Sequence, residues 1–186
     1  FIVQVKGHFQ FLTDEYGFVL ESQNPYAVTY ASTNLVVSIS HEQLSYELEV
    51  EFSRWSSNQS LREIITLGEI LDWRRVRKTV NPTVLQASSP ESVEICVPIL
   101  SDLTRTYASD ILDGSSWPIA EISTIRAYFT ENLENRHLRQ IAQEAWRTRN
   151  YRVVAHSLMQ IRGNLTELEG RKLSLSIRRI RDKLPE

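Results

Sequence analysis

The chain has one cysteine, one methionine and six glycines that never cluster. A lone cysteine, Cys96, excludes an intramolecular disulfide framework, and a reducing, cytoplasmic setting is the expectation. Scattered glycines exclude a phosphate-cradling loop. There is no G-x-S-x-G elbow and no H-E-x-x-H pair, so the common serine-hydrolase and zinc-protease signatures are missing. Long hydrophobic runs are missing as well. Stretches such as NLVVSIS are far shorter than the ~18 apolar residues a spanning helix needs. Lysine is scarce, four residues beside seventeen arginines. The opening FIVQVKGHFQF is too polar for the apolar region of a secretory signal. It starts at Phe1 rather than methionine, and a further segment upstream is expected.

What is present is an ordinary globular composition: 186 residues, 41% hydrophobic and 24% charged. That length can bury a full core. The net charge of −2 hides an asymmetry. Residues 1–53 hold one basic and seven acidic residues, while 135–186 hold twelve basic and five acidic. Such a split implies surfaces with different partners, or one half neutralising the other.

Hydrophobic spacing divides the chain. Val5, Phe9, Leu12 and Tyr16 recur at helical intervals, so residues 2–16 read as a helix. Gly17 sits where a left-handed residue would end it, and Phe18 where it would fold back on Leu12. Period 2 follows in FVLES, YAVTYAS, NLVVSISHE and LSYELEVEFSR, which predicts a four-stranded antiparallel meander. The last strand alternates Leu44, Tyr46, Leu48, Val50 and Phe52 with Ser45, Glu47, Glu49, Glu51 and Ser53, as expected of a sheet covered on one face. SLRE at Ser60 to Glu63 matches a capping box. It predicts a helix carrying Leu61, Ile64 and Ile65, running to about Lys78 before Asn81-Pro82 breaks it. Ser89-Pro90-Glu91 starts another helix, with Pro98 expected to kink it or delay its start. Asp113-Gly114 ends that segment. Beyond it the pattern is helical. Ser116-Trp117-Pro118 opens one helix, HLRQIAQEAWRTRN and NYRVVAHSLMQIRG supply two more, and TELE at Thr166 caps the last. The reading is therefore α+β: an N-terminal helix with a four-stranded antiparallel meander, then an all-helical half of antiparallel hairpins. The boundaries expected are 1–80 for the α+β domain and 88–186 for the helical domain or extension.

Two stretches carry a resemblance. FLTDEYGF, followed by VTYAS, LVVSIS and YELEVEF and then SLREI, resembles the opening of small uncharacterised bacterial proteins. In that group a helix-plus-meander domain precedes a helical region. AWRTRNYRVVAHSLMQI with LTELEGRKL is similar to a single tetratricopeptide-type hairpin. Together they cover about half the chain. Some proteins of that look act as immunity or accessory factors, and the resemblance implies such a role.

Chemistry-bearing residues are few. Cys96 lies on an apolar stripe and reads as core. His8, His41, His137 and His156 are too dispersed to predict a zinc site. Asp14 and Glu15 stand at a helix C-terminus, where the dipole disfavours carboxylates, so an arginine or a partner is expected beside them. Glu47, Glu49 and Glu51 form a row of carboxylates about 7 Å apart on one strand face. Without a denser oxygen cage they suit a basic partner better than a cation. Two basic features compete for anions: WRRVRK, with Arg74, Arg75 and Arg77, and RKLSLSIRRIRDK, with Arg171, Arg178, Arg179 and Arg181. No aromatic face matches the latter, so membrane contact is not expected. The sequence thus points to a non-enzymatic protein-interaction module with no cofactor and no metal. The alternative is a nucleic-acid-binding regulator using the C-terminal arginines.

Overall fold

The first helical stripe folds as two pieces, α1 (Ile2–His8) and α2 (Phe11–Asp14), and not as one helix over 2–16. The break has a packing reason. Phe9, Phe11 and Leu12 are all buried, and a straight helix would carry Phe11 about 200° round from Phe9. Gly17 adopts φ +72°, and the Phe18 amide donates to the Leu12 carbonyl at 3.0 Å. The expected helix stop is therefore present. In this computed structural model residues 1–55, 62–79, 86–161, 163 and 165–182 are described.

Five antiparallel strands follow in sequence order: β1 (Val19–Asn24), β2 (Ala27–Ala31), β3 (Val36–His41), β4 (Leu48–Trp55) and β5 (Arg62–Thr66). The meander expected had four. Ile64 and Ile65, read as helical, lie in β5, where Ile65 pairs with Phe52 and Ile64 with Ser53. Two adjacent isoleucines suit either period over so short a stretch, and pairing with β4 decides it. Ser60 and Leu61 of the SLRE motif lie outside the described residues, as do Asn81 and Pro82. β4 also starts later than its alternation suggests. Leu44 and Tyr46 sit in the preceding turn, both exposed, and Tyr46 has φ +58°.

One sheet face carries Val28, Val37, Ile39, Val50, Phe52 and Ile65, all fully buried. Burying each such side chain contributes about 1.5–3 kcal/mol. They share a core with Val5 and Leu12, with Ile70 and Leu71 of α3 (Leu67–Trp73), and with Val97 and Leu100 of α4 (Pro90–Tyr107). Thr29, Ser38, Glu51 and Thr66 form a cross-strand row on the opposite face. α3 stops at Trp73, well short of Lys78, and Arg75 follows in the left-handed region at φ +60°. α4 begins at Pro90 under a Ser89–Ser92 capping box and continues through Pro98, so no delayed start occurs. α5 (Ser109–Leu112) ends near Gly114, at φ +78°.

α6 (Ile119–Arg147) is one continuous helix where two were expected. α7 (Tyr151–Gln160) and α8 (Glu167–Arg181) follow, the latter under the expected Thr166–Glu169 capping box. The chain forms two compact units, 1–123 and 124–186. α4, placed above in a helical region from residue 88, packs into the core of the first unit. The second unit has its own small core of Ala142, Ala145, Val154, Leu158 and Ile161, with Leu138, Trp146 and Leu173 packed against it. Among the described residues no helix is long and apolar enough to cross a membrane.

Candidate functional site

β5 is shorter than β4, and this mismatch leaves a cleft in the first unit. β5 pairs with Glu51 to Trp55, then the chain leaves the sheet at Thr66 to begin α3. The earlier part of β4 is left open on that side. An open cleft of about 340 Å³ forms there, lined by Glu47, Glu49, Thr66, Glu69, Arg77 and Gln86 among others. Glu47 is held just before the strand, bridging in antiparallel fashion to Gln86. The turn before it is closed by the Glu42 amide donating to the Glu47 carbonyl at 2.8 Å and the Ala87 amide donating to Tyr46 at 2.8 Å. His41 pins the same segment, its Nε2 lying 2.7 Å from the Ala87 carbonyl oxygen.

Glu69 was not singled out from the sequence, although Thr66-Leu67-Gly68-Glu69 carries the spacing of a capping box. Its carboxylate accepts from the Thr66 amide at 2.9 Å, while the Thr66 hydroxyl accepts from the Glu69 amide. The box that starts α3 thereby fixes a third acid on the cleft. Glu49 feels the result. Desolvation first, then Glu51, Glu47 and Glu69, push its carboxyl above the usual range, against a hydrogen bond from Thr66. Glu51 pairs across the sheet with Ser38 and Thr66 and does not line the cleft. The row of three is thus divided, with Glu69 completing the pair that faces the cleft.

Arg77 brings the cleft one cation. It pairs with Asp72 at 3.4 Å. Its guanidinium lies where a Cβ on Gly68 would stand, 2.6 Å away, so the bare backbone of Gly68 admits it. Arg74 chelates Asp110, with both carboxylate oxygens at 2.6 Å, and lies over the Trp73 ring. The WRRVRK cluster therefore spends two of its three arginines on internal acids. Arg75 is exposed.

The remaining candidates resolve into structure. Glu15, misplaced with respect to its helix dipole, pairs with Arg105 of α4, the arginine expected there. Tyr16 is held above its ordinary pKa by burial, then by Glu15 and Asp113. His8 is exposed, and its carbonyl accepts from the Ser101 hydroxyl at 2.7 Å. Cys96 is buried, its Sγ 3.6 Å from the Gln86 carbonyl oxygen, and burial pushes the thiol up, away from nucleophilic use. His137 borders a second cleft with Glu134, Leu138 and Gln160, while His156 is exposed on α7. Among the described residues no three His, Cys, Asp or Glu side chains group as cation ligands.

On α8, Arg171 pairs with Glu167 and Arg178 approaches Asp182 at 4.0 Å. Arg179 and Arg181 are exposed, with no ion pair to any described residue. Leu173 and Ile180 form the covered side of this helix with Ser176, which is fully buried. The charge imbalance follows the structural division. Residues 1–123 hold eight basic and sixteen acidic residues, a net of −8; residues 124–186 hold thirteen and seven, a net of +6. No protein-family model, curated protein or solved structure matches the chain.

Proposed function

We propose that this chain is a non-enzymatic protein-interaction module, an immunity-type or accessory factor of a bacterial system, whose first unit takes a basic protein partner. The observation that carries this reading is the cleft lined by Glu47, Glu49 and Glu69, where desolvation first and then the neighbouring acids Glu51, Glu47 and Glu69 raise the Glu49 carboxyl. An excess of negative charge on an open surface speeds encounter with a cationic partner and repels acidic ones. The adjoining turn adds apolar anchors, since Leu44 is 90% and Tyr46 48% exposed. Exposed tyrosine beside a charged rim is the composition of an interface centre. The test is co-purification from the native host with wild type and with Glu47, Glu49 and Glu51 all changed to alanine. A partner held by wild type and lost by the variant supports the reading. No partner, or the same partner on both, contradicts it.

A second reading is favoured by Arg179 and Arg181, exposed on α8 without an acid among the described residues. Under it the second unit contacts nucleic acid and the protein acts as a regulator, with Arg178 beside them, while Arg171, expected from the sequence to join them, pairs with Glu167 nearer the start of α8. A steep fall of affinity with salt is its signature.

A further inference from the structure

The arginines of the second unit gather at one end of its hairpin. Glu169 in the first turn of α8 pairs with Arg139 of α6, and Lys172 lies over Trp146 near the end of α6, so α8, about 22 Å long, runs alongside α6 toward the α6–α7 turn. The last turn of α8 therefore reaches the α6–α7 turn and passes beyond it. Arg147 closes α6, Arg149 occupies the turn, and Arg152 lies in the first turn of α7. Arg178, Arg179 and Arg181 lie in the last turn of α8. All six are exposed. Only Arg178 has an acid near it among the described residues, Asp182 at 4.0 Å. Among the other arginines, Arg54, Arg74, Arg77, Arg105 and Arg139 each hold a carboxylate of the fold.

Helix electrostatics explain part of this gathering. A cation at a helix C-terminus complements the dipole, which accounts for Arg147 and for the three on α8. It does not account for Arg152, at a helix N-terminus where a cation is disfavoured and where α7 has no acid in its first turn. Nor does it account for Arg149, a branchless long side chain in the left-handed region at φ +55°, where glycine or asparagine is the easier residue. Two locally unfavourable arginines complete the patch.

We infer that this hairpin end is a docking surface for the phosphate backbone of a nucleic acid. The inference rests on the second reading above and assigns its surface. Six exposed arginines against one acid, Asp182, match a uniformly charged polymer better than a protein surface of mixed signs. The planar guanidinium suits phosphate through paired hydrogen bonds. A bilayer is disfavoured because α8, although it exposes Leu175 and Ile177, carries no aromatic residue to anchor it at a membrane interface. Arg171 lies toward the other end of α8 on an exposed pair with Glu167 and stands outside this surface.

The experiment is fluorescence anisotropy of the full chain with a labelled mixed-sequence single strand of about 20 nucleotides, over a salt series. Six contacts to a single strand predict a log–log slope near −4 (about −0.7 per contact). Arg147→Gln/Arg149→Gln/Arg152→Gln and Arg178→Gln/Arg179→Gln/Arg181→Gln each weaken binding at least ~tenfold and reduce the slope by about two. Arg171→Gln and Arg75→Gln change it less than about twofold. Arg149→Gly separates binding from folding: it relaxes the backbone, leaves or raises the melting temperature, and still weakens binding about threefold. No binding at low salt overturns the reading and the inference together. Binding that survives both triple variants but falls with Arg171→Gln or Arg75→Gln keeps the reading and overturns this surface. Tighter capture by anionic vesicles or by polyglutamate than by the oligonucleotide overturns the nucleic-acid assignment.

Discussion

At the residue scale, Glu49 reports on the cleft. Its folded-state pKa is raised, so the ionised carboxylate is the form the fold disfavours. The related stability is fully present below the ordinary value of 4.5 and is lost as pH rises through the folded pKa. Carboxyl-resolved NMR titration should therefore find Glu49 protonating above the ordinary value of 4.5. Glu49→Gln should be neutral to slightly stabilising at pH 7, by no more than ~0.5 kcal/mol, and the gain should vanish in acid. A Glu49 that titrates below 4.5 would contradict the crowding. Trp117 offers a second residue-scale check. Its indole N–H donates to Glu63 at 2.7 Å, and Arg54 both pairs with Glu63 and lies over the Trp117 ring. Trp117→Phe keeps an aromatic there but removes the donor to a carboxylate, at an expected ~1–3 kcal/mol in denaturant unfolding. Much of this scale was legible beforehand. The misplaced Glu15 signalled an arginine, and Cys96 on its apolar stripe signalled core. Glu69 was overlooked because a capping glutamate reads as local helix chemistry.

At the element scale, boundaries depend on backbone conformation and capping. Gly17 at φ +72° ends the first helical segment, with open space where a Cβ would stand. Gly17→Ala should thus cost ~1 kcal/mol through backbone strain alone, read as a lower melting temperature. In the second unit, desolvation of Glu169 is outweighed by hydrogen bonds from Thr166 and Arg139, which lower its pKa. This contribution is present above pH 4.5 and is lost as pH falls through the folded pKa. Thr166→Ala should destabilise α8 by ~0.5–2 kcal/mol near neutral pH, seen as faster amide exchange in Leu168 to Lys172. Gly17, the Ser89-Pro90 start and the TELE cap were readable because their signals are local. β5 and the continuity of α6 were not. Ile64 and Ile65 are strand residues only because β4 lies beside them, and nothing within HLRQIAQEAWR shows that the preceding helix runs on into it.

At the scale of the whole molecule, charge and fold share one division. A net of −8 belongs to residues 1–123 and +6 to residues 124–186. The imbalance was visible in the sequence, but its coincidence with two compact units was not. The cleft was half visible: the glutamate row stood out, while its closure by Thr66, Glu69 and Arg77 depends on where β5 stops. Gly68→Ala probes that closure. A methyl there displaces the Arg77 guanidinium, so affinity for a basic ligand should rise while fold stability changes by no more than ~1 kcal/mol. The central claim is that the acidic cleft binds a cationic partner. It is tested most directly by an NMR titration of the full chain with an arginine- and lysine-rich peptide in low salt. The account predicts saturable shifts centred on Leu44 to Glu51 and Thr66 to Glu69, weakened at least ~tenfold by the Glu47, Glu49 and Glu51 alanine variant and suppressed by salt. Shifts spread evenly over the surface, or unchanged in that variant, would contradict it.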